Sequence, residues 1–208
     1  GSYVERAQQA LHEQLELPAG YSITWAGQYE YMERAKAKLS YVLPLTLAII
    51  VVLLYLNFRS FIEVAMIMLT LPLAMIGGIW LMYLEGFNFS VAVGVGFIAL
   101  AGVAVEIGVI MLVYLNQAYQ DAKAQSSHFT VTELRQAIIN GAGLRVRPVM
   151  MTVATIIIGL LPVLYGTGTG SEVMSRIAAP MVGGMLSAIV LTLLVLPALY
   201  FIWRKRHL

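Results

Sequence analysis

The sequence predicts an all-α membrane protein with five transmembrane helices, preceded by a short helix–strand piece of an α/β subdomain. Five apolar runs carry this prediction, because a bilayer core of about 30 Å needs about 20 helical residues to cross it. Composition agrees: 60% of the residues are hydrophobic and 12% are charged, whereas a soluble domain has about 25% charged residues. The runs are Leu39–Phe58, Val64–Tyr83, Ser90–Leu115, Pro148–Tyr165 and roughly Ile177–Trp203.

The segment before the first run is polar. Apolar residues recur at helical spacing through Tyr3–Leu15, which predicts a helix. A turn at Pro18–Gly20 follows, and Tyr21–Trp25 alternates like a half-buried strand that ends at Gly27. Because a lone helix and strand do not make a stable domain, this segment is expected to belong to a larger α/β unit.

The chain opens without the pattern of a signal peptide. A first membrane helix preceded by 38 polar-rich residues is expected when a chain begins within a longer protein. The alternative is that Leu39–Phe58 itself acts as a signal anchor.

Lysine and arginine predict the orientation in the membrane. Eight of them lie in the 58–63 link, the 116–147 loop and the C-terminal tail, which share one side of the membrane. The positive-inside rule therefore predicts a cytoplasmic tail and an external N-terminal segment. Arg34, Lys36 and Lys38 flank the first run on the external side. They fit this orientation if a large translocated domain precedes them, since long domains cross regardless of charge.

The cytoplasmic loop between the third and fourth runs contains a second helical pattern. Thr132–Leu144 has apolar residues on one face, and either Thr130 or Thr132 can serve as the N-cap. This pattern predicts an amphipathic helix at the membrane interface. Gly141 and Gly143 are expected to release the chain from this helix. Pro148 then suits the first turn of the fourth membrane helix, where its missing N–H costs nothing.

Glu106 is the charge that lies well inside an apolar run. A charge at the centre of such a helix costs about 2.5–3.5 kcal/mol on insertion scales, so it needs a partner or a wet cavity. Acids in this position commonly carry protons or ions, and the alternative is a structural acid bonded to a neighbouring helix. Small neighbours that would let another helix approach predict a bundle interior here. They are Ala101, Gly102, Ala104 and Gly108.

Thr152 and Thr155 lie one turn apart on the following membrane helix. Either hydroxyl could exchange a proton with Glu106. The alternative is a threonine bonded to a carbonyl of its own helix, which is the preferred interpretation for Thr155.

Methionine sulfur is the soft metal ligand that this chain offers. The sequence has no cysteine, and its three histidines are too scattered for a metal site. Thioether sulfur suits Cu(I) or Ag(I), although methionine stripes are also common packing material. Met174 stands out near the outer end of its helix, beside a glycine-rich turn. The stripes are Met68, Met75 and Met82, and Met174, Met181 and Met185.

Motifs of enzymes do not occur in the sequence. Nothing resembles a phosphate-binding loop, a nucleophile elbow, a zinc-protease motif or a two-acid hydrolase site. The small net charge of +2 gives no reason to expect nucleic acid as a partner. The sequence therefore predicts neither an enzyme nor a bound cofactor.

Four segments, in order, resemble the resistance-nodulation-division (RND) transporters, and within them the copper/silver pumps of the heavy-metal efflux branch. The segments are Tyr21–Arg34, Gly94–Ala104, Arg145–Thr152 and Gly166–Arg176. The resemblance covers essentially the whole chain. It implies the last fifth of a pump of the bacterial inner membrane, with residues 1–36 ending a periplasmic porter region and residues 37–208 forming the last five membrane helices.

The resemblance also implies an activity and partners. Such a pump is a secondary transporter that exports Cu(I) or Ag(I) in exchange for protons. It works as a homotrimer with a periplasmic adaptor and an outer-membrane channel.

The resemblance assigns roles to three residues of this chain. Glu106 falls on the intramembrane carboxylate of the copper/silver branch, Thr152 on a proton-relay threonine, and Met174 on a methionine that passes metal. Val149 departs from the pattern, because the copper/silver relatives tend to have lysine after the proline. Two other interpretations stay open: a free-standing five-helix membrane scaffold, and a drug-exporting relative with an unusual carboxylate.

Overall fold

The computed structural model describes residues 2–14, 18, 20, 23, 25, 27–125 and 129–206. Most of these residues form α-helices and one π-helical turn, and there is no strand among them. The helices are α1 (Ser2–Gln14), α2 (Gln28–Phe58), α3 (Phe61–Leu84), α4 (Val91–Gln125), α5 (Val131–Tyr165), α6 (Ser171–Val190) and α7 (Leu196–Lys205), with the π-helical turn at Leu191–Val195 between the last two.

Five helical stretches in the described part of the chain are long and apolar enough to cross a membrane. Their number and order confirm the prediction of five transmembrane helices. The last stretch joins α6, the π-helical turn and α7. The five are Tyr29–Phe58, Phe61–Leu84, Val91–Gln125, Val131–Tyr165 and Ser171–Lys205.

The chain divides into two compact units, residues 1–52 and residues 53–208. The first unit contains α1, which confirms the predicted N-terminal helix, and most of α2. Most of the strand predicted at Tyr21–Trp25 falls outside the described residues, and Ile23 and Trp25, which are described, are not in a strand. Helix α2 begins after Gly27, whose φ of 91° suits a residue without a Cβ.

In the second unit, α3, α4 and α6 pack at very short distance through small residues. A Cβ added at Gly183 of α6 would lie 2.6 Å from Leu81 Cβ and 3.0 Å from the carbonyl carbon of Gly77, both in α3. The Ser187 hydroxyl donates to the Ala74 carbonyl at 2.7 Å and ties the same two helices. Small residues let membrane helices approach to backbone contact, and van der Waals packing then holds them together.

Helix α5 corrects the prediction for the cytoplasmic loop. The expected interfacial helix and the fourth membrane helix form one continuous helix, Val131–Tyr165. Gly141 does not break it, because this residue is buried and its missing side chain makes room for Ala118 and the Tyr114 carbonyl of α4. Pro148 consequently lies in the middle of the helix and not in its first turn. The N-cap at Thr130 is confirmed, since Thr130 and Glu133 form a capping box.

The last membrane segment contains a π-helical turn that the sequence did not reveal. The Leu196 N–H donates to the Leu191 carbonyl, five residues earlier, and Pro197 follows without an N–H of its own. Single π-turns of this kind widen a helix locally. The segment also begins at Ser171, six residues before the expected start at Ile177.

Candidate functional site

Glu106 lies on an exposed stripe of α4. The stripe recurs every three or four residues and includes Ile98, Gly102 and Val113. No hydrogen bond or ion pair to the Glu106 carboxylate forms within the described part of the chain. Gly102 beside it opens onto free space, since a Cβ there would meet nothing within 4 Å. The carboxylate is therefore accessible from the side of α4 that faces away from the packed core.

The small residues around Glu106 are divided between two faces of α4. Ala104 is 1% exposed and packs against Leu71 and Ala74 of α3. A Cβ at Gly108 would meet Thr70 and Ile67 of the same helix at ordinary contact distance. These two residues serve the α3–α4 contact, so the helices of this unit do not enclose the carboxylate as the sequence predicted.

Thr152 and Thr155 lie on an exposed face of α5. The Thr152 hydroxyl donates to the Pro148 carbonyl at 3.1 Å, and the Thr155 hydroxyl donates to the Met151 carbonyl at 2.8 Å. The bond within its own helix confirms the preferred interpretation of Thr155. Neither hydroxyl is hydrogen-bonded to Glu106. Val149, which departs from the pattern implied by the resemblance, is buried in an apolar cluster with Leu100 and Met185.

Met174 lies in the first turn of α6 with its side chain 56% exposed. Its N–H donates to the carbonyl of Gly170, the left-handed residue (φ 88°) that ends the glycine-rich turn. Other methionines of the two stripes pack inward: Met82 and Met185 are buried in the core. Among the described residues, no three His, Asp or Glu side chains come close enough to hold a metal ion. Met174 is thus the exposed methionine of the two stripes.

A polar quartet around a buried acid, which the sequence analysis missed, joins three helices. It consists of Glu63 at the start of α3, Asn116 of α4, and Tyr200 and Arg204 of α7. The Asn116 amide donates to Glu63 Oε2 at 2.8 Å, and Arg204 Nη2 donates to Glu63 Oε1 at 3.3 Å. The Tyr200 hydroxyl and Arg204 Nη2 both donate to Asn116 Oδ1, at 2.5 and 3.0 Å.

The quartet compensates the charge of a deeply buried acid. Glu63 is 3% exposed, and each of its carboxylate oxygens accepts a hydrogen bond from another helix. The Arg204 guanidinium also stacks on the rings of Trp203 and Tyr119, at 4.2 and 4.5 Å from the ring centroids. Buried charges persist when they are paired and hydrogen-bonded in this way. One signal could have revealed part of the quartet: Glu63, Asn116 and Arg204 directly flank apolar runs, at ends that the predicted orientation places on the same side.

Comparison with known proteins shows the family to which the chain belongs. It matches the model of the AcrB/AcrD/AcrF family over residues 1–204. It is 52% identical to the cation efflux system protein CusA of Escherichia coli K12 and 51% identical to SilA of Salmonella typhimurium, over 99% of this chain and 20% of each relative. It is 38% identical to the cobalt-zinc-cadmium resistance protein CzcA of Cupriavidus metallidurans, over 96% of this chain and 18% of the relative.

The structure is also similar to a solved one. It superposes on the crystal structure of a heavy-metal efflux pump with a TM-score of 0.79 and 35% sequence identity, over 98% of this chain and 19% of the pump. The chain therefore spans about a fifth of the length of the curated relatives it matches.

Proposed function

The chain belongs to the AcrB/AcrD/AcrF family of RND transporters, and from this membership we propose that it is the C-terminal part of a proton-driven pump that exports Cu(I) or Ag(I). The observation that carries the proposal is Glu106, an acid at mid-depth of a membrane-spanning helix, with an exposed carboxylate that has no partner among the described residues. Identity supports the cation efflux branch, since it is 51–52% to SilA and CusA and 38% to CzcA.

Glu106 has the properties that a proton carrier needs. A carboxylate can bind and release a proton, and an accessible one can exchange partners during a transport cycle. Glu63 lacks this freedom, because Asn116 of α4 and Arg204 of α7 hold its two carboxylate oxygens in place. We assign the proton step to Glu106 for this reason.

Thr152 is the proposed relay partner of Glu106. Its hydroxyl already donates to the Pro148 carbonyl at 3.1 Å, so its oxygen lone pairs remain available to accept a hydrogen bond. To pass a proton onward, Thr152 would release the Pro148 carbonyl and turn its O–H toward the acceptor.

Met174 is the proposed metal contact of this segment. Its exposed thioether is a soft ligand of the kind that Cu(I) and Ag(I) prefer. The position at the start of α6, next to the exposed turn 166–170, fits a site where the transported ion passes between water and the membrane region. The ion is the cargo of the pump and not a resident cofactor.

The surroundings of the pump follow from the same proposal. Residues 1–36 end the periplasmic porter region, residues 37–208 lie in the bacterial inner membrane, and the C-terminus lies in the cytoplasm. The pump is a homotrimer that works with a periplasmic adaptor and an outer-membrane channel. The lysine and arginine asymmetry supports the orientation, and family membership supports the assembly.

Substitution of Glu106 by Gln in a pump that carries this segment tests the proposal. Gln keeps the shape of the side chain but cannot titrate, so export of silver or copper from vesicles with an imposed pH gradient should be lost while the protein remains folded. Asp121→Asn is the matched control, because Asp121 is exposed on the same helix beyond the apolar run, and it should leave export intact. Wild-type export by Glu106→Gln across the pH range would show that Glu106 is a structural acid.

A further inference from the structure

A cavity of about 410 Å³ lies where the C-terminal end of α4 meets the C-terminal end of α7. It is open to the surface, and five residues line it: Tyr119, Gln120, Lys123, Ala124 and Arg204. Four are polar or charged, and both charged ones are cations. An open lining with two cations suits a compact anionic group such as a phosphodiester.

Arg204 presents donors that the described part of the chain does not use. A guanidinium has five N–H donors. Its Nε bonds the Tyr200 hydroxyl at 3.1 Å, and its Nη2 bonds Glu63 and Asn116. The two N–H groups of Nη1 make no hydrogen bond within the described residues, and Nη1 is not a buried atom. The quartet and the stacked rings hold this group in place before any ligand arrives.

The charge of the site is positive after its internal acid is counted. Arg204 and Lys123 supply two positive charges, and the buried Glu63 neutralises one, which leaves a net charge of +1. The Lys123 ammonium lies 5.9 Å from the centre of the Tyr119 ring and has no ion pair among the described residues. Asp121 is exposed and does not line the cavity.

The cavity lies at the level where an apolar segment gives way to water. Arg204 directly follows Trp203 at the end of the last apolar run, and Lys123 is eight residues past Leu115, the end of the third run. At 1.5 Å per helical residue, the Lys123 backbone stands about 12 Å beyond the hydrocarbon boundary, a few Å outside the headgroup layer, and its long side chain can reach back to that layer. Tyr119, Tyr200 and Trp203 around Arg204 are the aromatic types that concentrate at membrane interfaces.

We propose that this cavity binds the phosphate of an anionic membrane lipid, with phosphatidylglycerol as the probe. The phosphodiester oxygens accept hydrogen bonds from the free N–H groups of Arg204 and from Lys123, and Gln120 contributes an amide donor. The acyl chains then lie along the apolar surface of the membrane segments. A lipid fits better than a free anion, because the cavity borders the membrane and basic pockets between membrane helices recognise such headgroups.

Native mass spectrometry of the purified chain, loaded with equal amounts of phosphatidylglycerol and phosphatidylcholine of the same acyl chains, measures the preference. Wild type is expected to retain phosphatidylglycerol, and Lys123→Gln is expected to lower the preference about fivefold, the effect of one basic residue at a membrane surface. Lys123→Arg keeps the charge and should keep the preference. Lys205→Gln removes a charge from the adjacent tail without touching the cavity and should retain the wild-type ratio.

A competition experiment distinguishes a lipid phosphate from free inorganic phosphate. Inorganic phosphate added at millimolar concentration should not displace the lipid. Displacement of the lipid, or phosphate binding that depends on Lys123 without any lipid preference, would overturn the lipid assignment in favour of a free anion. Equal preference in wild type, Lys123→Gln and Lys205→Gln, with circular dichroism showing the same helix content, would overturn the site itself.

Discussion

Substitution of Gly183 by Ala is expected to separate α6 from α3. The added Cβ would lie 2.6 Å from Leu81 Cβ and 3.0 Å from the Gly77 carbonyl carbon, and it would also clash with the Gly77 carbonyl oxygen. Real Cβ atoms do not approach other atoms so closely, and two of these three contacts are to backbone. No rotamer change can relieve a backbone clash, so the two helices must move apart.

The size of the loss follows from two opposing terms. Overpacking a well-packed core costs about 1–3 kcal/mol, and contact with backbone puts Gly183→Ala at the upper end of this range. Replacing Gly by Ala within a helix returns up to about 1 kcal/mol. The net loss is therefore about 2 kcal/mol of the free energy of unfolding. Part of this loss comes from the hydrogen bond between Ser187 and the Ala74 carbonyl, which weakens when α6 and α3 move apart.

Denaturant unfolding in detergent micelles, followed by circular dichroism, measures this loss. Gly159→Ala is the matched control, because Gly159 is also inside a membrane helix but a Cβ there would meet nothing within 4 Å. The control should be as stable as wild type or slightly more stable, because it gains the higher helix propensity of Ala without any clash. The reasoning is refuted if Gly183→Ala is as stable as wild type, or if Gly159→Ala loses as much as Gly183→Ala.

Two further predictions concern the quartet and the orientation. Arg204→Gln leaves the Glu63 carboxylate buried without its cation. It should cost about 1.5–3 kcal/mol of the free energy of unfolding in the same assay, which is the value of hydrogen bonds to charged groups. The control Arg206→Gln removes an exposed charge and should cost little, so equal losses in the two variants would contradict the assigned role of the quartet. Reporter fusions at Glu85 and at the C-terminus should report a periplasmic and a cytoplasmic position, respectively. Periplasmic reporter activity at the C-terminus would contradict the proposed topology.

The membrane spans could be predicted because apolar length is a sum over many residues. No single residue decides whether Phe61–Leu84 can cross a bilayer, so local errors average out. The ends are less predictable. The third run was expected to end at Leu115, whereas α4 continues to Gln125. Hydropathy detects the residues that prefer lipid, but a helix continues wherever its backbone hydrogen bonds do, and residues such as Gln117 and Ala118 are good helix formers.

The prediction that glycines end the first part of α5 was wrong, because glycine occurs both at helix ends and where two helices cross closely. Gly141 and Gly143 are typical of a helix end when only the local sequence is considered. In the structure Gly141 lies at a helix crossing, where Ala118 occupies the space that its side chain would fill, and a Cβ at Gly143 would meet nothing within 4 Å. Only the partner helix distinguishes a glycine that ends a helix from one that lets another helix approach.

Candidate site residues were predictable one at a time but not as a group. A single acid in an apolar run identifies Glu106 from the sequence, whereas its partners depend on which face of α4 meets which helix. The quartet illustrates the same limit, since Glu63 and Arg204 are 141 residues apart in the sequence. Each looks like an ordinary residue at the end of an apolar run, and only the packed helices bring them together.

Glu63 and Glu106 therefore differ in a way that supports different roles. Glu63 has its oxygens bonded to Asn116 and Arg204, and a carboxylate held by such partners stabilises one arrangement of helices. Glu106 sits on an exposed face beside Gly102, with room for another helix. An uncovered charge at this depth would cost about 2.5–3.5 kcal/mol in lipid. Under the proposed function, a helix from another part of the pump, packed on the Gly102 face, would remove this cost and supply the groups with which Glu106 exchanges its proton.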